Sequence, residues 1–294
     1  MLKMNDVEML YRNKRGISNI SFQINKGKVL AILGENGCGK TTTFKVILGV
    51  LKQQKGSVLL DNKILNETRE RFGYVCEERS IIKDIKVIRQ LKFIGELKKV
   101  DKLTLEERID YWLKYFDIEK YQDIKIQELS KGNQQKVQII CALLDDPQVI
   151  IFDEPLNGLD IYNIELFKRL IEKLKKEKKI ILISSHQYHN IENLCDNILY
   201  LKKGKIILKG EIQRIKTKRK ERYIEFVDAD IRYWEEELRK DIDMLNNILT
   251  VKANDYNEAK VIIKKLVKEE INNIKLRTIS LKELIEETLN EDIN

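Results

Sequence analysis

Residues 34–42 read Gly-Glu-Asn-Gly-Cys-Gly-Lys-Thr-Thr. The string G-x-x-x-x-G-K-[ST] is a phosphate-binding loop when it follows a strand and opens a helix. Here the apolar run Val29–Leu33 precedes it and a helix is expected to begin near Lys40. Gly34, Gly37 and Gly39 let the backbone turn tightly, so that successive N–H groups face phosphates. The helix N-terminus behind them adds partial positive charge. Lys40 is expected to reach the β- and γ-phosphates and Thr41 to ligate Mg²⁺. Asn36, Cys38 and Thr42 share the loop and are expected to line the nucleotide. An ordinary Gly-rich turn is the alternative, and so restrictive a string disfavours it.

The second decisive stretch is 149–154, Val-Ile-Ile-Phe-Asp-Glu. Four apolar residues suit a strand buried on both faces. Such a strand delivers Asp153 to the Mg²⁺ end of a nucleotide. Glu154, next in line, is placed to orient and polarise an attacking water as general base. Together the two stretches imply a chain that binds a nucleoside triphosphate with Mg²⁺ and hydrolyses it.

The remaining composition bounds the answer. A chain of 294 residues, 43 % apolar, supports one large domain or two modest ones. Its formal charge of +8 suits nucleic acid, an anionic membrane surface or simply a Lys-rich composition, and the last is favoured. No signal peptide is expected at MLKMNDVEML, and no run reaches the ~20 apolar residues of a spanning helix. Cys38, Cys76, Cys141 and Cys195 are widely spaced with no C-x-x-C, which fits a reduced cytosolic compartment and neither a disulfide framework nor a zinc site. A thiol at Cys38, beside Lys40 and a helix N-terminus, is expected to have a lowered pKa and to be alkylated readily.

The pattern along the chain reads as α/β. Strands are expected at Leu2–Leu10, Ile17–Ile24, Val29–Leu33 and Gly56–Leu60, with a helix from Lys40 to about Leu51. Residues 84–145 carry helical periodicity and only Gly95 and Gly132. From 148 onward strand and helix alternate, which argues for a parallel sheet with covering helices. All 13 glycines lie at or before Gly210, and the basic run 214–222 follows, read as a solvated linker. The tail alternates again: strand 222–227, helix 231–240, strand 248–252, helix 257–268, strand 274–279 and helix 281–289.

Three further strings fall in order around the second stretch. They are Leu129-Ser130-Lys131-Gly132-Asn133-Gln134-Gln135-Lys136, then Leu156-Asn157-Gly158-Leu159-Asp160, then Ser184-Ser185-His186. With them, residues 1 to about 212 resemble the ATP-binding cassette (ABC) ATPases. The resemblance implies a P-loop NTPase core with an N-terminal antiparallel β region and a helical subdomain at about 78–146, followed by a small α/β accessory domain at 213–294. It implies that Tyr11 stacks on adenine and that His186 touches the γ-phosphate. It also implies that Ser130, Gly132 and Asp160 act at a site shared with a second cassette, in a homodimer or heterodimer closing on ATP. His189 is read as helix surface. Where most members carry Gln, this chain has Glu77, within Phe72-Gly73-Tyr74-Val75-Cys76-Glu77-Glu78-Arg79. Glu77 is expected to hold Mg²⁺ or water, with a catalytic share.

The Gly-Tyr-x-x-Glu-Glu-Arg string and the Ser280-Leu281 segment in the C-terminal extension are similar to ATPase subunits of bacterial ABC-2-type exporters. Such subunits pair with a separate integral membrane permease and sit at the inner face of the plasma membrane. Cargo in that group includes drugs, peptides, lipid-linked molecules and ions. The alternatives are a soluble ABC ATPase acting on nucleic acid or ribosomes, and a regulatory ATPase with a sensing permease. Too few residues separate Lys40 from Asp153 for the long coiled coil of the chromosomal type, and no nucleic-acid partner is expected.

Overall fold

The computed structural model describes residues 1–12, 15–65, 72–186, 188–228 and 230–291, apart from the side chains of residues 189, 190 and 291. Two compact units divide the described chain, Met1–Lys209 and Gly210–Asn294.

In the first unit β1 (Leu2–Leu10) pairs antiparallel with β2 (Gly16–Ile24) and, across a later connection, with β4 (Lys55–Leu60), which turns into β5 (Lys63–Ile64). Leu2 and Met4 point into the core, and so do Val7 and Met9, which is a change of phase within one strand. A bulge between Met4 and Val7, where Asp6 takes φ 45°, makes that change and keeps the apolar row inside.

The main sheet has the order β10-β9-β3-β8-β7-β6. Its strands are β3 (Val29–Leu33), β6 (Phe72–Val75), β7 (Val149–Phe152), β8 (Ile180–Ser185), β9 (Asn197–Lys202) and β10 (Lys205–Glu211). The pairs β3–β8, β3–β9, β7–β8 and β6–β7 are parallel. β3, β7 and β8 are buried along their whole length, as their unbroken apolar runs require. The helix after β3, α1 (Lys40–Ile47), is shorter than its periodicity suggests. Gly49, at φ 70°, ends it by turning the chain back so that Val50 N–H bonds to Lys45 O.

Between β6 and β7 lies the helical insertion: α2 (Val87–Leu97), α3 (Lys102–Tyr115) and α4 (Lys131–Leu143). α5 (Ile161–Lys176) and α6 (Tyr188–Glu192) follow β7 and β8. β6 was not foreseen as a strand. Its four residues, including Gly73, carry little pattern by themselves and are ordered by pairing with β7.

The second unit contains α7 (Ile212–Lys218), β11 (Arg222–Val227), α8 (Ile231–Leu238), β12 (Ile242–Leu245), β13 (Ile248–Ala253), α9 (Tyr256–Lys268), β14 (Lys275–Arg277) and α10 (Leu281–Glu291). Its sheet runs β12-β13-β11-β14, all antiparallel. Ile224, Phe226, Leu249 and Val251 form one apolar face, packed with Trp234, Ala259, Ile262 and Leu266. The basic run is not a linker throughout. It is helical to Lys218, with Ile212 buried and Lys218 exposed.

Candidate nucleotide site

β3, β7 and β8 run the same way side by side, with Leu33 opposite Ser185 and Phe152 opposite Ile183. Their C-terminal ends therefore open on one edge of the sheet, where ligands of open α/β sheets sit. Asp153 N–H continues the ladder to Val75 O at 2.8 Å, which places the residues after β6 beside Asp153. The result is a cleft of about 270 Å³ lined by Asn36, Gly37, Gly39, Lys40, Thr41, Thr42, Glu77, Asp153 and Glu154. Pockets for whole small ligands run ~300–1,000 Å³. This cleft thus accommodates a phosphate chain, with the nucleoside outside it.

The polar groups form one connected set. Lys40, only 6 % exposed, donates from Nζ to Gly34 O at 2.8 Å and to Glu35 O at 3.3 Å, and stands 3.6 Å from Glu154 Oε1. Thr41 donates to Asp153 Oδ2 at 3.1 Å. Ser184 donates to Asp153 Oδ1 at 2.5 Å while its oxygen accepts the Glu154 N–H at 2.8 Å. Tyr74 OH reaches Asp153 Oδ2 at 3.3 Å. Burial, and then the Asp153 charge, pushes the Tyr74 phenol above its ordinary value of 10.0. His186 Nδ1 lies 2.9 Å from Glu154 Oε2. With Glu154 as a carboxylate, that bond requires the hydrogen on Nδ1.

Glu154 is the unusual residue. It is 6 % exposed, and its backbone takes φ 49°, a left-handed conformation uncommon for a non-glycine residue. Its Oε1 is buried without a hydrogen-bond partner. The Ser184 hydroxyl on the Glu154 N–H and His186 on Oε2 hold this conformation.

The residues fit a triphosphate. A Cβ added at Gly37, whose φ is 79°, would meet nothing within 4 Å, so the loop backbone there faces open space. Lys40 and the α1 N-terminus supply positive charge at that space. The oxygen-only donors Thr41, Asp153 and Glu77 suit a hard cation such as Mg²⁺, which takes one or two protein ligands beside phosphate oxygens.

Not every expected residue reaches the cleft. Tyr11 follows β1, donates its N–H to Arg15 O at 2.7 Å, is 41 % exposed and does not line the cleft. Ser130, Gly132 and Asp160 stand away from it, at the starts of α4 and α5. Ser130 caps α4 and Asp160 caps α5, each accepting a backbone N–H. Asn163 Nδ2 donates to Asp160 Oδ2 at 3.0 Å and would lie 2.7 Å from a Cβ on Gly132. The side chain of His189 lies outside the described residues. Cys38 does not behave as its neighbours suggested. It is 5 % exposed, and burial pushes its thiol up, outweighing the opposing effect of Lys40. Ser184 and Tyr74 carry no distinct signal in the sequence beyond the strings that contain them. The structure shows both on Asp153.

The family model described as ABC transporter matches residues 17–157. An uncharacterized ABC transporter ATP-binding protein of Methanocaldococcus jannaschii is 38 % identical over 270 residues, covering 92 % of this chain and 93 % of that one. A lantibiotic transport ATP-binding protein of Streptococcus pyogenes is 31 % identical, covering 72 % of this chain and 91 % of its own. Among solved structures, the dimeric post-hydrolysis state of an ATP-binding cassette bound to ADP and Pi superposes with a TM-score of 0.65 at 25 % identity, covering 72 % of this chain and 99 % of that one.

Proposed function

Because this chain belongs to the ABC transporter ATP-binding proteins and is an ATPase with their P-loop NTPase fold, we propose that it powers a bacterial ABC-2-type exporter as one of two cassettes bound to a separate membrane permease. One observation carries the two-cassette reading. Ser130 and Gly132 at the start of α4, and Asp160 at the start of α5, the last two bridged by Asn163, do not line the chain's own cleft. A second cassette, the same or different, supplies those residues to each cleft. The lantibiotic transport relative supports the exporter class. Among the described residues no helix is long and apolar enough to cross a membrane. Membrane contact at the inner face then comes through the permease. Residues 1–212 act as the cassette and 213–294 as an accessory domain.

In this reading Lys40 leaves Glu154 and the Gly34 and Glu35 carbonyls to bind the β- and γ-phosphates, and Tyr11 stacks on the base outside the cleft. Asn36, Gly37, Gly39 and Thr42 present backbone N–H groups and, at Asn36 and Thr42, side chains to the phosphates, while Cys38, buried and with its N–H bonded to Glu35 O at 3.2 Å, braces the loop from behind. Thr41, Asp153 and Glu77 would hold Mg²⁺, which when bound would supply neutralisation of phosphate charge. Freed of Lys40, Glu154 Oε1 accepts the proton of the attacking water. His186 holds Glu154 through Oε2 and faces the γ-phosphate from the rim. Ser184 and Tyr74 fix Asp153.

The test is ATPase activity of the chain and of Glu154→Gln, with oligomeric state followed with and without ATP and Mg²⁺. Loss of hydrolysis in the variant together with ATP-dependent dimerisation is the expected result. Hydrolysis unaffected by the substitution removes Glu154 as the base. A variant that stays monomeric with ATP bound removes the shared site.

A further inference from the structure

The segment after β6 carries Glu77 into the cleft, and two buried glutamines of the helical insertion hold that segment. Gln138 on α4, 4 % exposed, donates from Nε2 to Cys76 O at 3.0 Å and lies 3.4 Å from Glu78 O. One carboxamide thus grips the carbonyls on both sides of Glu77. Further along, Gln90 on α2, 1 % exposed, accepts the Ile82 N–H through Oε1 at 3.1 Å. Gln138 Oε1 is itself buried without a hydrogen-bond partner. An orphaned buried acceptor is destabilising, and an apolar side chain of the same shape avoids it. The gain at this position therefore lies in the donor and what it holds, not in packing.

We propose that Gln138 is a positioning residue that fixes Glu77 at the metal end of the nucleotide cleft. Glu77 is exposed, so its backbone is the anchor that decides where its carboxylate points. The flanking carbonyls, tied to one NH₂ group, restrict the backbone rotation of Glu77 in the way outer partners of metal ligands fix their orientation. Gln138 and Ser130 belong to the same α4 helix, with Ser130 as its cap. Displacement of α4 therefore carries Glu77 with it. The proposal rests on the reading of Glu77 as a carboxylate facing Mg²⁺.

A double-substitution cycle tests it. The Mg²⁺ concentration for half-maximal hydrolysis at saturating ATP is measured for wild type, Gln138→Met, Glu77→Gln and the pair. Mn²⁺ affinity with a non-hydrolysable ATP analogue is followed in parallel by electron paramagnetic resonance. Gln138→Met keeps the volume and removes the donor. It is expected to raise the half-maximal Mg²⁺ concentration and weaken Mn²⁺ binding by roughly tenfold, with the rate at saturating Mg²⁺ unchanged. Glu77→Gln is expected to shift the metal dependence in the same direction and to lower the rate as well, and the pair to show no larger metal shift than Glu77→Gln alone. Gln138→Glu, which stays polar and presents acceptors to the two carbonyls, is expected to shift the metal dependence in the same direction. An equal shift from Gln138→Met in both backgrounds overturns positioning through Glu77. A shift from Glu77→Gln but none from either Gln138 variant keeps Glu77 at the metal and overturns the role of Gln138. No shift from Glu77→Gln itself overturns the reading of Glu77, and the proposal with it.

Discussion

The two sheets of this chain use polar side chains in opposite ways. At the C-terminal edge of the main sheet Lys40, Asp153, Glu154, Ser184 and Ser185 are all buried. In the second unit the charged groups remain near solvent and pair around Arg277. Burying charge is costly even when it is paired. Holding Glu154 at φ 49° adds to that cost. The main sheet therefore carries an arrangement that folding alone does not favour, whereas the second unit uses its charges for its own cohesion. Substitutions should separate the two. In the first unit they should affect chemistry more than stability, and in the second the reverse.

The largest effect is expected at Glu154. Glu154→Gln keeps the shape and the Ser184 contact to its N–H, and removes the proposed base. Hydrolysis should fall by roughly 10²–10⁴-fold, while the thermal midpoint should change far less, since one buried charge is gone and Lys40, 3.6 Å away, keeps its bonds to the Gly34 and Glu35 carbonyls but loses its counter-charge. A fall in midpoint matching the loss of rate would break the contrast between the units.

Ser184→Ala comes next and sharpens the contrast, because Ser184 touches both sides of the balance. Its hydroxyl donates to Asp153 Oδ1 and accepts from Glu154 N–H, both buried. Its loss should lower kcat by roughly 10–100-fold through misplaced Asp153 and Glu154. It should also cost about 1–3 kcal/mol for groups left unpaired. Denaturant unfolding alongside steady-state kinetics measures both. A stability loss with unchanged kcat would make Ser184 purely structural.

These residues also mark how far the sequence alone reaches. The phosphate loop was legible because its task constrains backbone as well as side chain. A glycine at φ 79° and a lysine at the head of α1 leave few alternatives. β3, β7 and β8 were legible because burial on both faces demands unbroken apolar runs. β6 and β12 were not, since four residues paired at a sheet margin need no pattern of their own. The thiol of Cys38 was misjudged because charge neighbours are visible in sequence and burial is not. Ser184 on Asp153, and Gln138 on Cys76 and Glu78, join residues far apart along the chain, and no local spacing encodes them.

The smallest expected effects lie in the second unit. Arg277 donates in parallel to Glu283, Nη1 to Oε2 at 2.7 Å and Nη2 to Oε1 at 2.8 Å, and its Nε donates to Glu225. Its guanidinium carbon also sits 4.7 Å from the centre of the Tyr223 ring. Glu283 in turn accepts the Ser280 N–H at 2.7 Å while Ser280 Oγ accepts the Glu283 N–H at 3.2 Å. This reciprocal cap starts α10. Arg277→Ala should destabilise the second unit by about 1–3 kcal/mol, seen as faster hydrogen exchange in β11 and β14 of the full chain, with hydrolysis unchanged. Acid should act on the same contacts. Burial pushes the Glu225 and Glu283 carboxyls up, but their hydrogen bonds, chiefly to Arg277, outweigh it and leave both below their ordinary value of 4.5. A carboxylate depressed on folding contributes stability that is present above the unfolded value and lost as pH falls through the folded one. Protection factors in β11 and β14, which allow for the slower intrinsic exchange of amides in acid, should therefore fall as the pH drops below about 4.5 in wild type, and the fall should be weaker in Arg277→Ala. Equal acid sensitivity in the two proteins would mean that Arg277 is not what holds these carboxylates, and the second unit's charges would no longer stand in contrast to those at the edge of the main sheet.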